Sequence, residues 1–497
     1  MRTAIVGGGI AGLAAAYELE QARASGAAVQ YTLFEAEERL GGSLSSEIVD
    51  GAVLERGPDS FLTEKPAAAQ LCRELGLGHE LLPSNDAARK TYIVVRNRLV
   101  ALPDGLMFLV PTKLIPTALS PLFSLKTKAR MGLELLHPPR PTGLPDEAVA
   151  ALVERHFGRE AVERLANPLL SGIFGGDASQ LSARTVLPRL VEMESEYGSL
   201  TRGMLAAHRK MRARAREAAK GNGAGNGNGP ARANSSSARS IFTSLRGGMQ
   251  QLVDALAARL DPASVRLVAR VTGLEKTAEG WQVEAGGAWE AFDAVIMASP
   301  AWAAGALLGK VDAALGEELS AIPYSSSITV NLIYDEARLG RLPDGFGFLV
   351  PASEGRAMLA CTFVHRKFPR ATPPGKPRRA VLRAFLGGMN NEALLAETDE
   401  ALVGTVRREL DSILGSSVVG LAMEPEHAQV SRWRRAMAQY AVGHQERITR
   451  VAARVAALPG LRLAGNAYDG IGIPDCIRLG RQAAKELVSE PASRQVS

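Results

Sequence analysis

Cysteine is scarce in this chain: Cys72, Cys361 and Cys476 are the only three among 497 residues. They lie far apart and are odd in number, which excludes a disulfide framework and a cysteine-based zinc site and points to a reducing compartment. Histidine is rare as well, with seven residues. No Ser–His–Asp set and no metal-binding cluster is apparent, so no metal is expected, and His365 and His444 read as neutral packing groups. An uncharged apolar run of about 18 residues is missing, which removes a transmembrane helix from the expectations. The opening MRTAIVGGG enters a strand without a charged-then-apolar leader, so a cytoplasmic protein is expected. Neither sign of charge dominates: 58 basic and 52 acidic residues leave +6. The basic residues are scattered and accompany no nucleic-acid-binding motif, so nucleic acid is excluded as a partner. An acidic small substrate or an anionic membrane surface suits the mild excess better.

What is present is a globular composition, 46% hydrophobic and 22% charged, on a chain long enough for two to four domains. Glycine is plentiful, and its strongest cluster is Gly7, Gly9 and Gly12 in AIVGGGIAGLAAAYEL. These glycines, with Gly8, Ile10 and Ala11 between them, form G-x-G-x-x-G between a strand and a helix. In that pattern Gly7 permits the tight turn, Gly9 lets a pyrophosphate approach the backbone, and Gly12 lets helix and strand pack closely. The helix N-terminus offers N–H groups and a positive dipole to the pyrophosphate. Glu35 ends the next strand, 23 residues beyond Gly12, where it can accept hydrogen bonds from both ribose hydroxyls. An acid at that place disfavours a 2′-phosphate, hence NADP. A second glycine-rich turn, AGNAYDGIGIPDC at 464–476, lies more than four hundred residues further on.

Between the two turns the texture alternates. Residues from about 100 are proline-punctuated and apolar, and DEAVAALVERHFGREAVERLANPLL has the spacing of an amphipathic helix. The basic run RKMRARARE reads as a solvated helix face ahead of a lipid or partner contact. KGNGAGNGNGPARANSSSARS at 220–240 reads as a flexible insert. GGMQQLVDALAARL is a predicted helix, VRLVARVTGLEK and GWQVEAG a predicted β-meander, and FDAVIMASP a buried strand. SSSITVNLIYD, GFGFLVP, AMLACTFVH and AVLRAFLGG follow as strands, then TDEALVGTVRRELDSIL as a helix. Such alternation implies two domains interleaved in sequence.

The run EAEERLGG, with Arg39, Gly41 and Gly42 after the ribose acid, resembles the FAD-binding superfamily of amine oxidases and protoporphyrinogen oxidases. Ser43 departs from it, standing where the family run usually ends in Arg or Lys. ERGPDSF resembles the next family segment, which passes by the isoalloxazine ring and brings Gly57, Pro58, Asp59 and Ser60 to the cofactor; Val271 is counted with them. The resemblance also accounts for the second turn. Gly465, Asn466, Ile471, Gly472 and Ile473 match the family's return to the flavin, with a helix from about 475 pointing its N-terminus at the flavin's O2/N1 edge. FAD bound non-covalently is the implied cofactor.

LSGIFGGDASQLS, SLRGGMQQLVDAL, GFGFLVP and RWRRAMAQYAVGH extend the resemblance to the bacterial protoporphyrinogen oxidase group along nearly the whole chain. It implies Gly172 over the substrate ring near the flavin and Trp433 beside the flavin. Leu349, Leu359 and Phe385 become candidates for an apolar slot, with ordinary core packing as the alternative. Arg89 or Lys90, in AARKTYIVVRNRL, becomes the propionate-binding cation, Arg89 preferred. The amine oxidases carry a lysine in the strand that PYSSSITVNLIYDE resembles, where this chain has Thr329. The implied activity is oxygen-dependent conversion of protoporphyrinogen IX to protoporphyrin IX in haem synthesis. Six hydrogens leave in three two-electron steps, with hydrogen peroxide as by-product. Coproporphyrinogen III oxidation and FAD-dependent amine oxidation are the alternatives.

The expected fold is an α/β, Rossmann-like FAD-binding domain (1–85, 241–302 and 441–497) interleaved with an α+β substrate-binding domain (86–103, 200–240 and 303–440). A helical subdomain (104–199) completes it. Segment 105–125 resembles the membrane-facing part of the family; a cap over the substrate channel is the other reading. Expected partners are the porphyrinogen, molecular oxygen, the inner face of the cell membrane as a peripheral contact and the next enzyme of the haem pathway. A monomer and a homodimer both stay open.

Overall fold

The first strand, Arg2–Val6, is buried from Thr3 onward, as a parallel strand covered on both faces must be. In the computed structural model, which describes residues 1–107, 109–221, 240–415 and 418–490, it lies at the centre of a five-stranded parallel sheet. Val265–Arg266, Gln30–Phe34, Arg2–Val6, Ala294–Met297 and Leu461–Leu463 stand side by side in that order. Strands from the beginning, middle and end of the chain thus build one unit. On one face, helices Ile10–Ala24 and Ile473–Ser489 share a core with Leu13, Leu33, Leu252 and Ile477. They approach closely because residue 480 is glycine: a Cβ there would stand 2.1 Å from the carbonyl oxygen of Ala11. On the other face an antiparallel three-stranded sheet, Val271–Lys276, Trp281–Ala285 and Ala288–Phe292, packs through Trp281 and Val283.

Two sequence expectations change here. VRLVARVTGLEK is not one arm of a meander: Val265–Arg266 joins the parallel sheet, and Val271–Lys276 opens the antiparallel one. Between them the chain crosses over, donating from the Val268 and Ala269 N–H groups to the carbonyls of Glu37 and Glu35. The long helix over 146–170 is broken as well. Val149–Phe157 stops at Gly158, whose φ of 88° is left-handed, and a π-helical turn, Val162–Ala166, precedes Asn167–Phe174. Pro168, in that next helix, cannot donate a backbone N–H, which suits it to a helix start. Residues 222–239, the core of the Gly/Asn/Ser insert, lie outside the described residues, as do most side chains of the basic run before it.

The second unit is a seven-stranded sheet, ordered His427–Ala438, Tyr324–Asp335, Arg379–Gly387, Met358–Phe363, Gly347–Leu349, Thr91–Val95 and Arg98–Ala101. Its pairings are antiparallel except that of Gly347–Leu349 with Thr91–Val95. Alternation assigns its two faces. Ile328, Val330, Leu332, Leu382, Ala384 and Phe348 form a core with Leu402, Val406 and Leu410 of helix Asp399–Leu414. The Thr398 hydroxyl caps that helix by accepting from the Ala401 N–H at 3.2 Å. The opposite face is mixed in character and looks toward the first unit.

A helical region packs around Phe157, Leu165, Leu170 and Leu190. The sequence grouped 200–240 with the substrate-binding domain, yet Leu200, opening helix Leu200–Gly221, is buried in this helical cluster. Among the described residues, no helix is long and apolar enough to cross a membrane.

Replacing Gly480 by Val forces the two long helices apart. The expected result is a loss of roughly 1–3 kcal/mol or more, the usual range for overpacking, read as a lower melting temperature.

Candidate active site

The first glycine turn is shaped by two collisions and one opening. Gly7 has φ of 112°, and a Cβ there would stand 2.8 Å from the carbonyl oxygen of Ala298. A Cβ on Gly12 would stand 1.9 Å from the carbonyl oxygen of Gly7, whereas one on Gly9 would meet nothing within 4 Å. The backbone is therefore tight beneath the turn and open above it. Ile10 and Ala11 start the helix, Ala11 buried in the core beneath. Glu35 follows its strand and accepts from the Gly8 N–H at 2.6 Å and the Glu37 N–H at 2.9 Å, one on each carboxylate oxygen. An ionised carboxylate keeps lone pairs beyond those two bonds for a diol.

Arg39 braces the adjoining loop. Its guanidinium donates to the carbonyls of Leu40, Leu44 and Gly42. Gly41 donates to the Gly8 carbonyl at 2.8 Å, and a Cβ on Gly42 would stand 3.2 Å from Gly9 Cα. The two glycine runs lie directly against each other.

The C-terminal turn comes to the same place. A Cβ on Gly7 would lie 3.0 Å from the Ser299 nitrogen and one on Gly465 4.0 Å from its carbonyl oxygen. Asn466 is held by its amide donating to Ala436 at 2.9 Å and by its carbonyl accepting from Tyr440 at 2.9 Å. Ile471 packs at the edge of the core behind the sheet. The helix begins at Ile473, two residues before the expected start, with the Asp475 carboxylate accepting from the Gly472 N–H at 3.3 Å. Near this junction the buried hydroxyls of Ser299 and Tyr468 have no hydrogen-bond partner. Buried hydroxyls ordinarily have one. A cradle open at Gly9, an acid with accepting capacity to spare and unpartnered hydroxyls fit FAD.

The Glu55–Ser60 strip runs between this junction and the mixed face of the large sheet. Four side chains of that face donate to consecutive carbonyls: Asn331 to Glu55 at 3.0 Å, Thr329 and Trp433 to Arg56 at 2.7 and 2.8 Å, and Arg383 to Gly57. A Cβ on Gly57 would stand 1.8 Å from the Ser43 carbonyl oxygen and 3.5 Å from Trp433. Beyond Pro58, Asp59 pairs with Lys367 at 3.0 Å and accepts from the Ser60 hydroxyl at 2.7 Å. Burial opposes the Asp59 charge, but Lys367 and Arg383 hold its carboxyl well below the usual carboxylate range. Sequence reading missed Asn331, Arg383, Lys367, Ser299 and Tyr468. The one visible signal was a charge inside an otherwise apolar strand, AVLRAFLGG.

On the same face, Leu349, Ala360, Phe385 and Thr329 stand in one register row across four strands. Leu359 occupies an irregularity between Met358 and Ala360, beside Gly388. Gly172 lies on helix Asn167–Phe174, where a Cβ would stand 3.1 Å from Leu349 Cδ2. The structure thus gathers Gly172, Leu349 and Phe385 along one wall. Arg89 and Lys90 are exposed just before strand Thr91–Val95, and Val271 is half-buried at the edge of the core that also holds Tyr468 and Ile471 of the second glycine turn. His444 stacks on Tyr440 at 4.2 Å, and burial lowers its pKa to about 4, so it is neutral.

The family of flavin-containing amine oxidoreductases matches residues 10–488. The chain belongs to that family and is an FAD-dependent oxidoreductase. It is 33% identical over 488 residues to a Bacillus subtilis coproporphyrinogen III oxidase, covering 98% of this chain and 97% of that one. It is also 33% identical to the protoporphyrinogen oxidase of Bos taurus, covering 99% and 100%. A crystal structure from Exiguobacterium sp. 255-15 superposes with a TM-score of 0.81 at 31% identity over 99% of each chain.

Glu55 carries a pH prediction. Its side chain is 2% exposed, and burial raises its pKa to about 7 despite hydrogen bonds from Ser46 and the Met249 N–H. A carboxyl raised in the folded state contributes stability below its unfolded pKa and loses it as pH rises through the folded value. The melting temperature is expected to fall between about pH 4.5 and 7.5, a differential of roughly 3 kcal/mol at about 1.4 kcal/mol per pH unit. Glu55→Gln should remove that component of the slope in a melting series across this range.

Proposed function

We propose that the protein oxidises a porphyrinogen to the corresponding porphyrin in haem synthesis, with coproporphyrinogen III as substrate and molecular oxygen as electron acceptor. The observation that carries the reading is the wall where Gly172, on helix Asn167–Phe174, meets the Leu349 and Phe385 side of the sheet face that also grips the Glu55–Ser60 strip. A tetrapyrrole macrocycle that flattens as it is oxidised requires an apolar slot, and a glycine opposite a leucine leaves depth for a ring. FAD, when bound, supplies the two-electron acceptor for each of the three steps and passes the electrons to oxygen.

The chain's own residues then bind, orient and shield. The Gly8–Gly9 backbone and the N-terminus of helix Ile10–Ala24 hold the pyrophosphate, and Glu35 holds the ribose hydroxyls. The N-terminus of helix Ile473–Ser489 offers its dipole to the flavin edge. Gly57, Pro58, Asp59, Ser60 and Trp433 flank the ring, while Leu349, Leu359 and Phe385 orient the substrate and exclude water. No side chain is assigned as acid or base.

Sequence reading ranked protoporphyrinogen IX first. Two observations favour the four-carboxylate coproporphyrinogen III instead. Bacterial relatives, from Bacillus subtilis, Staphylococcus aureus and Propionibacterium freudenreichii, carry the name coproporphyrinogen III oxidase. Arg89 and Lys90 are exposed neighbours and, among the described residues, engage no anion. Thr329, standing where the amine oxidases carry lysine, directs its hydroxyl to the Arg56 carbonyl, which weighs against amine oxidation. Anaerobic stopped flow decides the substrate. Coproporphyrinogen III should bleach the visible flavin band at least about tenfold faster than protoporphyrinogen IX, about 1.4 kcal/mol in barrier. The opposite order would reverse the ranking.

A peripheral membrane contact is part of the proposal. Helices Leu114–Leu119 and Leu125–Leu133 turn apolar residues outward, with Ile115, Leu119, Leu125 and Leu133 between 62% and 83% exposed. Lys113, Lys126 and Arg130 are exposed among them, the composition of an interfacial surface. The protein should sediment with vesicles of anionic phospholipid and not with neutral ones at low salt. Leu119→Glu with Leu125→Glu should abolish that; equal sedimentation of the double variant would remove this contact.

A further inference from the structure

We propose that Arg383 is a positioning residue: with Lys367 and Asp59 it bolts the Arg56–Asp59 strip to the slot-bearing face of the large sheet and keeps net positive charge behind that strip. The inference rests on the reading that the strip borders the bound flavin.

Arg383 sits in the middle of strand Arg379–Gly387, in register between Asn331 and Thr362. Its neighbours Leu382 and Ala384 face the apolar core, whereas Arg383 shares the opposite face with Phe385, two residues on. The residue is 2% exposed. One guanidinium nitrogen donates to the Gly57 carbonyl, another lies 3.9 Å from Asp59 Oδ2, and the plane stands 4.8 Å over the Phe385 ring. Its Nε has no hydrogen-bond partner. A buried cation with an unpartnered N–H is a poor choice for sheet stability alone, because an apolar side chain of similar volume would avoid the desolvation. What the arginine adds is a link. Its stem and ring contact belong to the slot wall, and its head belongs to the strip.

The surrounding charges do not cancel. Lys367 reaches Asp59 at 3.0 Å, with its ammonium 4.7 and 4.9 Å from the Phe242 and Phe368 rings. Arg370 stands 4.0 Å from the Glu55 carboxylate. Three cations, Lys367, Arg370 and Arg383, thus face two carboxyls, Asp59 and Glu55. Burial holds Glu55 partly protonated near neutrality, while Asp59 stays ionised. Excess positive charge in a poorly solvated place favours a neighbouring group that gains negative charge. A flavin beside the strip would gain it on reduction, and its affinity for electrons would rise.

The test uses the full-length protein with FAD bound, and its first readout needs no substrate. The flavin midpoint potential is measured by dye-equilibrated titration in the wild type, Arg383→Met and Arg383→Lys. Arg383→Met should reduce the equilibrium constant for flavin reduction about tenfold, about 30 mV for a two-electron couple. Its kcat should fall with KM little changed. Arg383→Lys keeps the charge and should restore the potential to within a factor of about three of wild type, equivalent to about 14 mV. Should Arg383→Met fail to fold, Lys367→Met removes a neighbouring charge and must lower the potential in the same direction. An unchanged potential in Arg383→Met overturns the proposal, as does an equal drop in Arg383→Met and Arg383→Lys. A protein that oxidises no porphyrinogen yet shows the charge-dependent shift would overturn the proposed substrate while supporting this inference.

Discussion

Backbone meeting backbone, with no side chain between, is the constraint on which the rest of this structure depends. It occurs where Gly12 lies on the Gly7 carbonyl, where Gly480 lies on the Ala11 carbonyl and where Gly57 lies on the Ser43 carbonyl, all closer than a Cβ would allow. Each contact joins segments of different origin: a strand end to its helix, the last helix to the first, and the Glu55–Ser60 strip to the loop braced by Arg39. Because such contacts tolerate no added methyl, they set distances more sharply than apolar packing, which can adjust its rotamers. The cradle for a cofactor is what remains open once these contacts are made. Gly9, with nothing near its missing Cβ, is the complement of Gly7 and Gly12.

The two faces of the seven-stranded sheet divide the labour. One is apolar and packs on helix Asp399–Leu414, which stabilises the unit. The other carries Asn331, Thr329, Trp433 and Arg383 toward the carbonyls of Glu55, Arg56 and Gly57, with Leu349 and Phe385 on the same face. A single strand such as Arg379–Gly387 therefore serves core and site by alternation alone. The polar grip is short-range and directional, so the strip has little freedom relative to that face. Such a grip fixes the distance between the strip and the sheet face, and positioning of that kind is what a protein contributes to chemistry carried by its flavin.

Much of this was legible beforehand. The βαβ opening and the acid at Glu35 follow from a motif in which spacing and residue type carry mechanical meaning, and the return of the C-terminal helix was implied by the family resemblance. The strand runs from SSSITVNLIYD to AVLRAFLGG were evident from apolar texture. The helix over 146–170 was not, because amphipathic spacing continues through Gly158 and does not reveal that the glycine adopts a left-handed φ. The crossing at 267–270 was hidden for a related reason. Val268 and Ala269 look like strand residues, yet their place is decided by hydrogen bonds to Glu37 and Glu35, more than two hundred residues away.

Sequence by itself determined the class of the chain and the local geometry of its turns, since glycine spacing and a following acid are local properties with local physical consequences. Only the tertiary structure decided which face of each strand meets the Glu55–Ser60 strip. It also showed that Arg383, Lys367 and Asp59 form one cluster, and that Ser299 and Tyr468 keep unpartnered hydroxyls near the junction of the two glycine turns. Those facts depend on register between strands far apart in sequence. A shift of one residue would turn Arg383 into the apolar core and Leu382 toward the strip.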